Sequence, residues 1–205
     1  AIWIFAIAAI TQAPLSNDPV AVATTSLAIG FWGVGSLLNS YADFYPLSNT
    51  SQFLAQLSYL FFYPLLLVAI PRTLSRGRHL NPIEVLDSVI FGLGISAIAT
   101  ALFLSKVFPE SISDVQDQFF SLLFPVSDLL LLTLAAIAVI THRLQKRALL
   151  LFLGILIFSA SDLFYLWLSV NNNYTFGQIS DDGWLIGIVI IASSFWHAQS
   201  ATTAE

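Results

Sequence analysis

Long apolar runs, broken by charge at only a few points, constrain this chain more than any other feature. Stretches such as LLLLTLAAIAVI (129–140) and ALLLFLGILIF (148–158) are apolar on every face of a helix. A helix hydrophobic all round belongs in a large protein core or a bilayer. At 205 residues the chain has too little interior to hide such runs, since 57% of it is apolar and only 9% charged,. Soluble domains carry about 25% charged residues. Lipid is therefore the expected solvent for much of the surface, and the fold class is all-α and polytopic.

A span takes roughly 20 residues, which allows about seven here. The runs place them at 1–15, 20–45, 51–70, 83–106, 119–140, 147–170 and 184–199. Residues 1–200 read as a single helical membrane domain and 201–205 as the start of a cytoplasmic linker. The first run is short and reads as a span cut at its front. Arg72, Arg76 and Arg78 in one loop, with Arg143, Lys146 and Arg147 in another, are six of the seven basic residues. The positive-inside rule puts both loops in the cytoplasm. Loops 46–50, 107–118 (with Glu110, Asp114 and Asp117) and 171–183 then lie outside, and the C-terminus is cytoplasmic. An odd count leaves residue 1 outside, which points to an eighth span upstream in the parent protein. Loop 11–19 then falls inside although it lacks Lys and Arg. The expected localisation is multi-pass in a membrane.

Several chemistries fall away. With no cysteine there is no disulfide or thiolate site,. A net charge of −5 speaks against a nucleic-acid partner. Lys106 and Lys146 are both near span ends, so a retinal Schiff base has no mid-span lysine. His79, His142 and His197 sit towards the cytoplasmic side, with His197 only a remote haem ligand. No metal site and no catalytic set is evident, no cofactor is specified, and the chain itself does not read as an enzyme. Trp3, Trp184 and Trp196, with Tyr41, Tyr45 and Tyr174, fall near span ends, where interfacial anchoring accounts for them.

A charge inside a bilayer costs on the order of 3 kcal/mol, so acids within spans need a reason. Asp128 and Asp162 each lie about eight residues from the outer end of a span, about 12 Å deep. Their spans are joined by a short loop and should be antiparallel neighbours with both carboxyls at one depth. Two readings stay open. One is an outward-facing ligand pocket lined by Asp128, Asp162, Tyr165, Trp184, Asp182 or Asp181, Asn39 and Tyr59. The other is helix–helix glue, each aspartate bonding a tyrosine, serine or carbonyl. Asp87 reads as interfacial at a helix start, and Asp43 as exposed. Pro64 and Pro125 bend or pack their helices. Gly30, Gly33 and Ser36, with Gly92 and Ala97, offer small-residue faces.

Five stretches in order carry a resemblance: FWGVGSLLNSY (31–41), LSYLFFYPLLLVAIPR (57–72), IEVLDSVIFGLG (83–94), FPVSDLLLL (124–132) and SASDLFYLWLSVNNNYTFGQISDDGWLIG (159–187). Together they resemble the N-terminal membrane domain of bacterial GGDEF/EAL cyclic di-GMP signalling proteins, over residues 31–196. Tyr63, Pro64, Asp87, Pro125, Asp128, Asp162, Tyr165, Tyr174, Asp182 and Trp184 match the family pattern. Ser36 stands where an acid is usual, Phe124 replaces a tyrosine, and the ending SSFWHAQS is altered. Stretches 31–70 and 158–197 also echo one another.

The resemblance implies a sensory input domain. Its outward pocket would pass a signal to a cytoplasmic output domain that makes or breaks cyclic di-GMP, or phosphorylates a partner. Expected partners are the bilayer, a small-molecule or lipid ligand, and a second copy in a homodimer. The alternatives are a small proton- or cation-coupled transporter or channel using the intramembrane aspartates, and a purely structural anchor.

Overall fold

The computed structural model describes residues 1–13, 18–42, 44–45, 48–74, 115–141, 145–171, 173–175 and 177–197, with nine helical positions between 83 and 101. Asp43, Gly92, Glu110, Asp114, His79, His142, Arg76, Arg78, Arg143 and Lys106 lie outside the described residues. Regular structure among the described residues is helical throughout. The helices are α1 (Ile2–Gln12), α2 (Pro19–Ala42), α3 (Asn49–Leu74), α4 (Val115–Thr141), α5 (Lys146–Val170) and α6 (Ile179–Ser194), followed by a 3₁₀ turn over Phe195–His197.

Among the described residues four stretches are long and apolar enough to cross a membrane: Pro19–Ala42, Asn49–Thr73, Phe119–Ile140 and Lys146–Ser169. Helix α1 has 11 residues, about 16 Å at 1.5 Å per residue, against a hydrocarbon core about 30 Å thick. Helix α6 starts five residues before the expected span, so Asp181 and Asp182 stand in its first turn rather than in a loop. Acids there complement the partial positive charge of the helix N-terminus. Helix α4 likewise starts at Val115, inside the stretch expected to be a loop. Pro64, Pro71 and Pro125 all lie within continuous helix.

Each helix packs on its sequence neighbours, and α1 packs on α6, so the six close into a ring. α3 touches α4, and α4 touches α5. The outside is apolar, with Phe5, Leu37, Ile140 and Val189 exposed. Polar side chains turn inward instead: Thr25, Thr73, Asp128, Ser159, Ser161, Ser180 and Ser194 are buried. The helical positions at 83–101 carry exposed Ile83, Leu86, Ile90, Leu93 and Ile98. This inside-out distribution suits lipid as the surrounding solvent.

The two most extensively packed pairs are α2 with α3 and α5 with α6, and both approach through glycine. A Cβ at Gly154 would meet the Ile191 N–H at 2.8 Å and the Gly187 carbonyl at 2.9 Å. One turn earlier on α6, a Cβ at Gly183 would strike the Ser161 hydroxyl. Gly183 and Gly187 are thus a G-x-x-x-G step laid against α5, a spacing that lets two backbones come close. In the α2–α3 pair, Gly35 faces Tyr59 and the Ala55 carbonyl.

Asp18 organises one end of the ring. Its Oδ1 accepts the backbone N–H groups of Val20 (3.0 Å) and Ala21 (3.1 Å). It therefore caps α2, with Pro19 in the first helical position where its missing N–H costs nothing. The same carboxylate meets Arg72 near the end of α3, with Nε 3.1 Å from Oδ2. Burial works to raise the Asp18 pKa. Hydrogen bonds from Ala21, Arg72 and Val20, with the Arg72 charge, outweigh it and hold the carboxyl below its ordinary range. Nearby helix ends meet too: Trp196 Nε1 donates to the Ala9 carbonyl at 3.0 Å, and the Arg147 guanidinium lies 5.6 Å from the Phe195 ring centroid. The clasp puts Asp18 beside Arg72, on the side where the sequence places loop 11–19 despite its lack of Lys and Arg.

Interfacial anchoring does not describe all the terminal aromatics. Tyr41 and Tyr45 are exposed and stacked at 5.0 Å. A Cβ at Gly33, by contrast, would collide with the Trp3 indole, so that ring packs on α2. Trp184 and Tyr174 both bond carboxylates.

Two outcomes follow. Gly154→Ala should destabilise the folded chain by about 1–3 kcal/mol through overpacking, read as a lower melting temperature in detergent, whereas Gly177→Ala should act only through its loop. Asp18→Asn should remove a pH-dependent increment of stability. Because the folded pKa is depressed, that increment is present above the unfolded carboxyl value near 3.8. It is lost as pH falls through the folded value. Arg72 is 40% exposed, so the pair adds less than about 1 kcal/mol. Melting curves of wild type and variant should converge in acid.

Candidate functional site: a carboxyl pair at a four-helix junction

Four helices bring polar side chains together in the middle of the ring. From α5, Asp162 is partly buried and accepts two hydrogen bonds. The Tyr63 hydroxyl of α3 donates to its Oδ2 at 2.7 Å. The Trp184 indole N–H of α6 donates to its Oδ1 at 2.6 Å. From α4, Asp128 is fully buried and its Oδ1 accepts from the Ser159 hydroxyl of α5 at 3.2 Å. The two carboxyls lie within hydrogen-bonding reach of each other, and Asp128 also within reach of the Tyr63 hydroxyl. Asp128 Oδ2 is buried and meets no donor among the described residues.

Local sequence explains the convergence. Ser159 and Asp162 are three apart on α5 and share a face. Tyr63 sits beside Phe62, whose ring stacks on Phe158 at 4.5 Å, one residue before Ser159. Phe124 stacks on Tyr63 at 6.1 Å and holds α4 against α3. Buried Pro125 follows, so Asp128 lies within the first turn beyond it.

Aromatic rings continue from this junction towards the end opposite Arg72. Trp32 of α2 touches Trp184 at 6.3 Å, Tyr59 at 6.3 Å and Phe158 at 6.2 Å. Tyr165 packs on Trp184 at 5.4 Å and on Tyr174 at 4.7 Å. Tyr174 donates to Asp181 Oδ1 at 3.0 Å, and the Gly177 N–H to Asp181 Oδ2 at 2.6 Å. Asn39 donates to the Tyr59 hydroxyl at 3.3 Å. Towards the Arg72 end the chemistry changes. A crevice lined by Phe62, Leu66, Leu131, Ile155, Phe158, Ser159 and Ile191 is closed against a water molecule.

The structure therefore gathers Asp128, Asp162, Tyr165, Trp184, Asn39 and Tyr59, either in the junction or in the aromatic layer above it. Asp182 does not join them. It is exposed on the first turn of α6, while its neighbour Asp181 ties the connection before α6 to the helix. Asp87 is exposed. The glue reading named tyrosine and serine as partners, and Tyr63 and Ser159 fill those roles. Tyr63 entered only through the family pattern. Ser159 and Trp32 carried no signal of their own, though Ser159 stands one helical turn from Asp162.

Comparison with known protein families, with curated proteins and with solved structures returns no match.

Asp162 serves two donors on different helices, so removing them should not be additive. Tyr63→Phe and Trp184→Phe should each cost about 1 kcal/mol in reversible unfolding from lipid or mixed micelles. The double variant should cost more than the sum, because the carboxylate then loses both donors. Strict additivity would mean the two side chains do not share it.

Proposed function

We propose that this chain is a membrane-embedded sensory input domain of a bacterial signalling protein. On this reading it crosses the inner membrane about seven times with a cytoplasmic C-terminus. It passes a signal from its outer half to an output domain beyond residue 205, one that makes or breaks cyclic di-GMP or phosphorylates a partner. A small-molecule or lipid ligand and a homodimer belong to the same reading. The observation that carries it is the junction of Tyr63, Asp128, Asp162 and Trp184. It locks α3, α4, α5 and α6 at one level beneath an aromatic layer. A change in that layer shifts helices that run on without a break to the Arg72 end. The basic residues clustered at that end support the orientation, and the order of the sequence stretches supports the class.

Conduction is the weaker reading. A transporter needs a wet path on both sides of its buried acids, and the crevice below these carboxyls is apolar and closed.

The test is to assay the output of the full parent protein with Asp128→Asn and Asp162→Asn. At least one variant should lock the output high or low and abolish its response. Unchanged output and response in both would end the sensory assignment of this site. Proton or substrate flux in proteoliposomes that vanishes in Asp162→Asn would replace it with transport.

A further inference from the structure

The junction contains two acids and one oxygen too few in partners. Asp162 has a donor on each oxygen, Tyr63 on one and Trp184 on the other. Among the described residues Asp128 has a donor on Oδ1 only, and its Oδ2 is sealed from solvent. Two bare carboxylates in contact repel each other, and in an apolar layer no water offsets this. Among the described residues, the ionisable groups facing the pair are Tyr63 and Tyr59 from α3 and Tyr165 from α5; Trp184 faces it from α6 without titrating. None is a cation. The described basic side chains lie far along the helices: Arg72 is nine residues from Tyr63, about 14 Å, and Arg147 fifteen from Asp162, about 22 Å.

We infer that the Asp128–Asp162 pair is a binding site for a single proton, carried on Asp128 Oδ2 and donated towards Asp162. One proton there completes the hydrogen bonding of the junction. Asp128 Oδ2 becomes a donor, Asp162 remains the acceptor of Tyr63 and Trp184, and Ser159 still serves Asp128 Oδ1. The same proton on Asp162 would weaken the acceptor that Tyr63 and Trp184 both use and leave Asp128, fully buried with one donor, as the bare carboxylate,. The buried carboxyl is therefore the acid and the partly buried one its conjugate base. Asp162 is the less buried of the two and carries the contacts to Trp184 and the aromatic layer, so exchange with the exterior runs through Asp162 and not through the closed apolar layer. This inference concerns the chemical state of the pair and stands whether or not the chain is a sensor.

Infrared difference spectroscopy of the whole chain in nanodiscs tests it. At neutral pH the wild type should show one carboxylic-acid C=O band. Asp128→Asn should abolish the band, and Tyr63→Phe and Trp184→Phe should shift it without abolishing it. Asparagine supplies an N–H where the acid supplies its O–H, so Asp128→Asn should melt at or above the wild-type temperature, whereas Asp128→Ala should melt well below it. Absence of the band at neutral pH, or its survival in Asp128→Asn, would overturn the proposal. So would a band that appears only when sodium is withdrawn, since a metal ion would then occupy the site. If Asp128→Asn failed to fold, Tyr63→Phe would still decide: a band with unchanged position would place the acid elsewhere.

Discussion

The carboxylate of Asp162, shared between the Tyr63 hydroxyl and the Trp184 indole, is the interaction on which the rest depends. Apolar contacts between helices in lipid discriminate poorly, because lipid tails offer the same chemistry as leucine. A buried acid is different. Its donors must come from particular faces, so one carboxylate fixes the rotation of α3, α5 and α6 about their axes. Asp128 adds α4 through Ser159 and through Asp162 itself. Four helices are oriented by a handful of polar atoms, while the exposed Leu, Ile and Phe side chains around them meet an unselective solvent.

Close approach then does what polarity cannot. With Gly154 and Gly187 in backbone contact, α5 and α6 are near enough for Trp184 to reach Asp162. Gly183, one residue before Trp184, leaves room for Ser161, one residue before Asp162. The glycine step and the polar junction are therefore one device: the glycines set the separation and the hydrogen bonds set the register.

Much of this was legible in the sequence because charges inside apolar runs stand out. Asp128 and Asp162 announce themselves, and the short link between their helices makes matched depth a sound deduction. Their partners were harder to find. Tyr63 and Ser159 are ordinary residues in ordinary helices, and only helix rotation, a tertiary property, selects them. The G-x-x-x-G step at 183–187 was present in the sequence but sat across the expected boundary between a loop and a span. The same boundary shift put Asp181 and Asp182 into a helix and gave Asp181, not Asp182, its partners. Aromatic residues near helix ends gave a misleading signal, because proximity to an interface and proximity to a buried carboxylate look alike in one dimension.

Ring closure by α1 against α6 has a consequence for the order of assembly. The hairpins α2–α3 and α5–α6 join segments close in sequence, so each can form as soon as its second helix has been made. The contact of Trp196 with Ala9 spans 187 residues, and loop-closure entropy sets long-range contacts late. Helix α1 is thus made long before its partner on α6 exists. Among the described helices made by then, α2 is the one it packs on most, with Trp3 seated over Gly33. The small packing site at Gly33 holds α1 against α2 while the rest of the ring is synthesised.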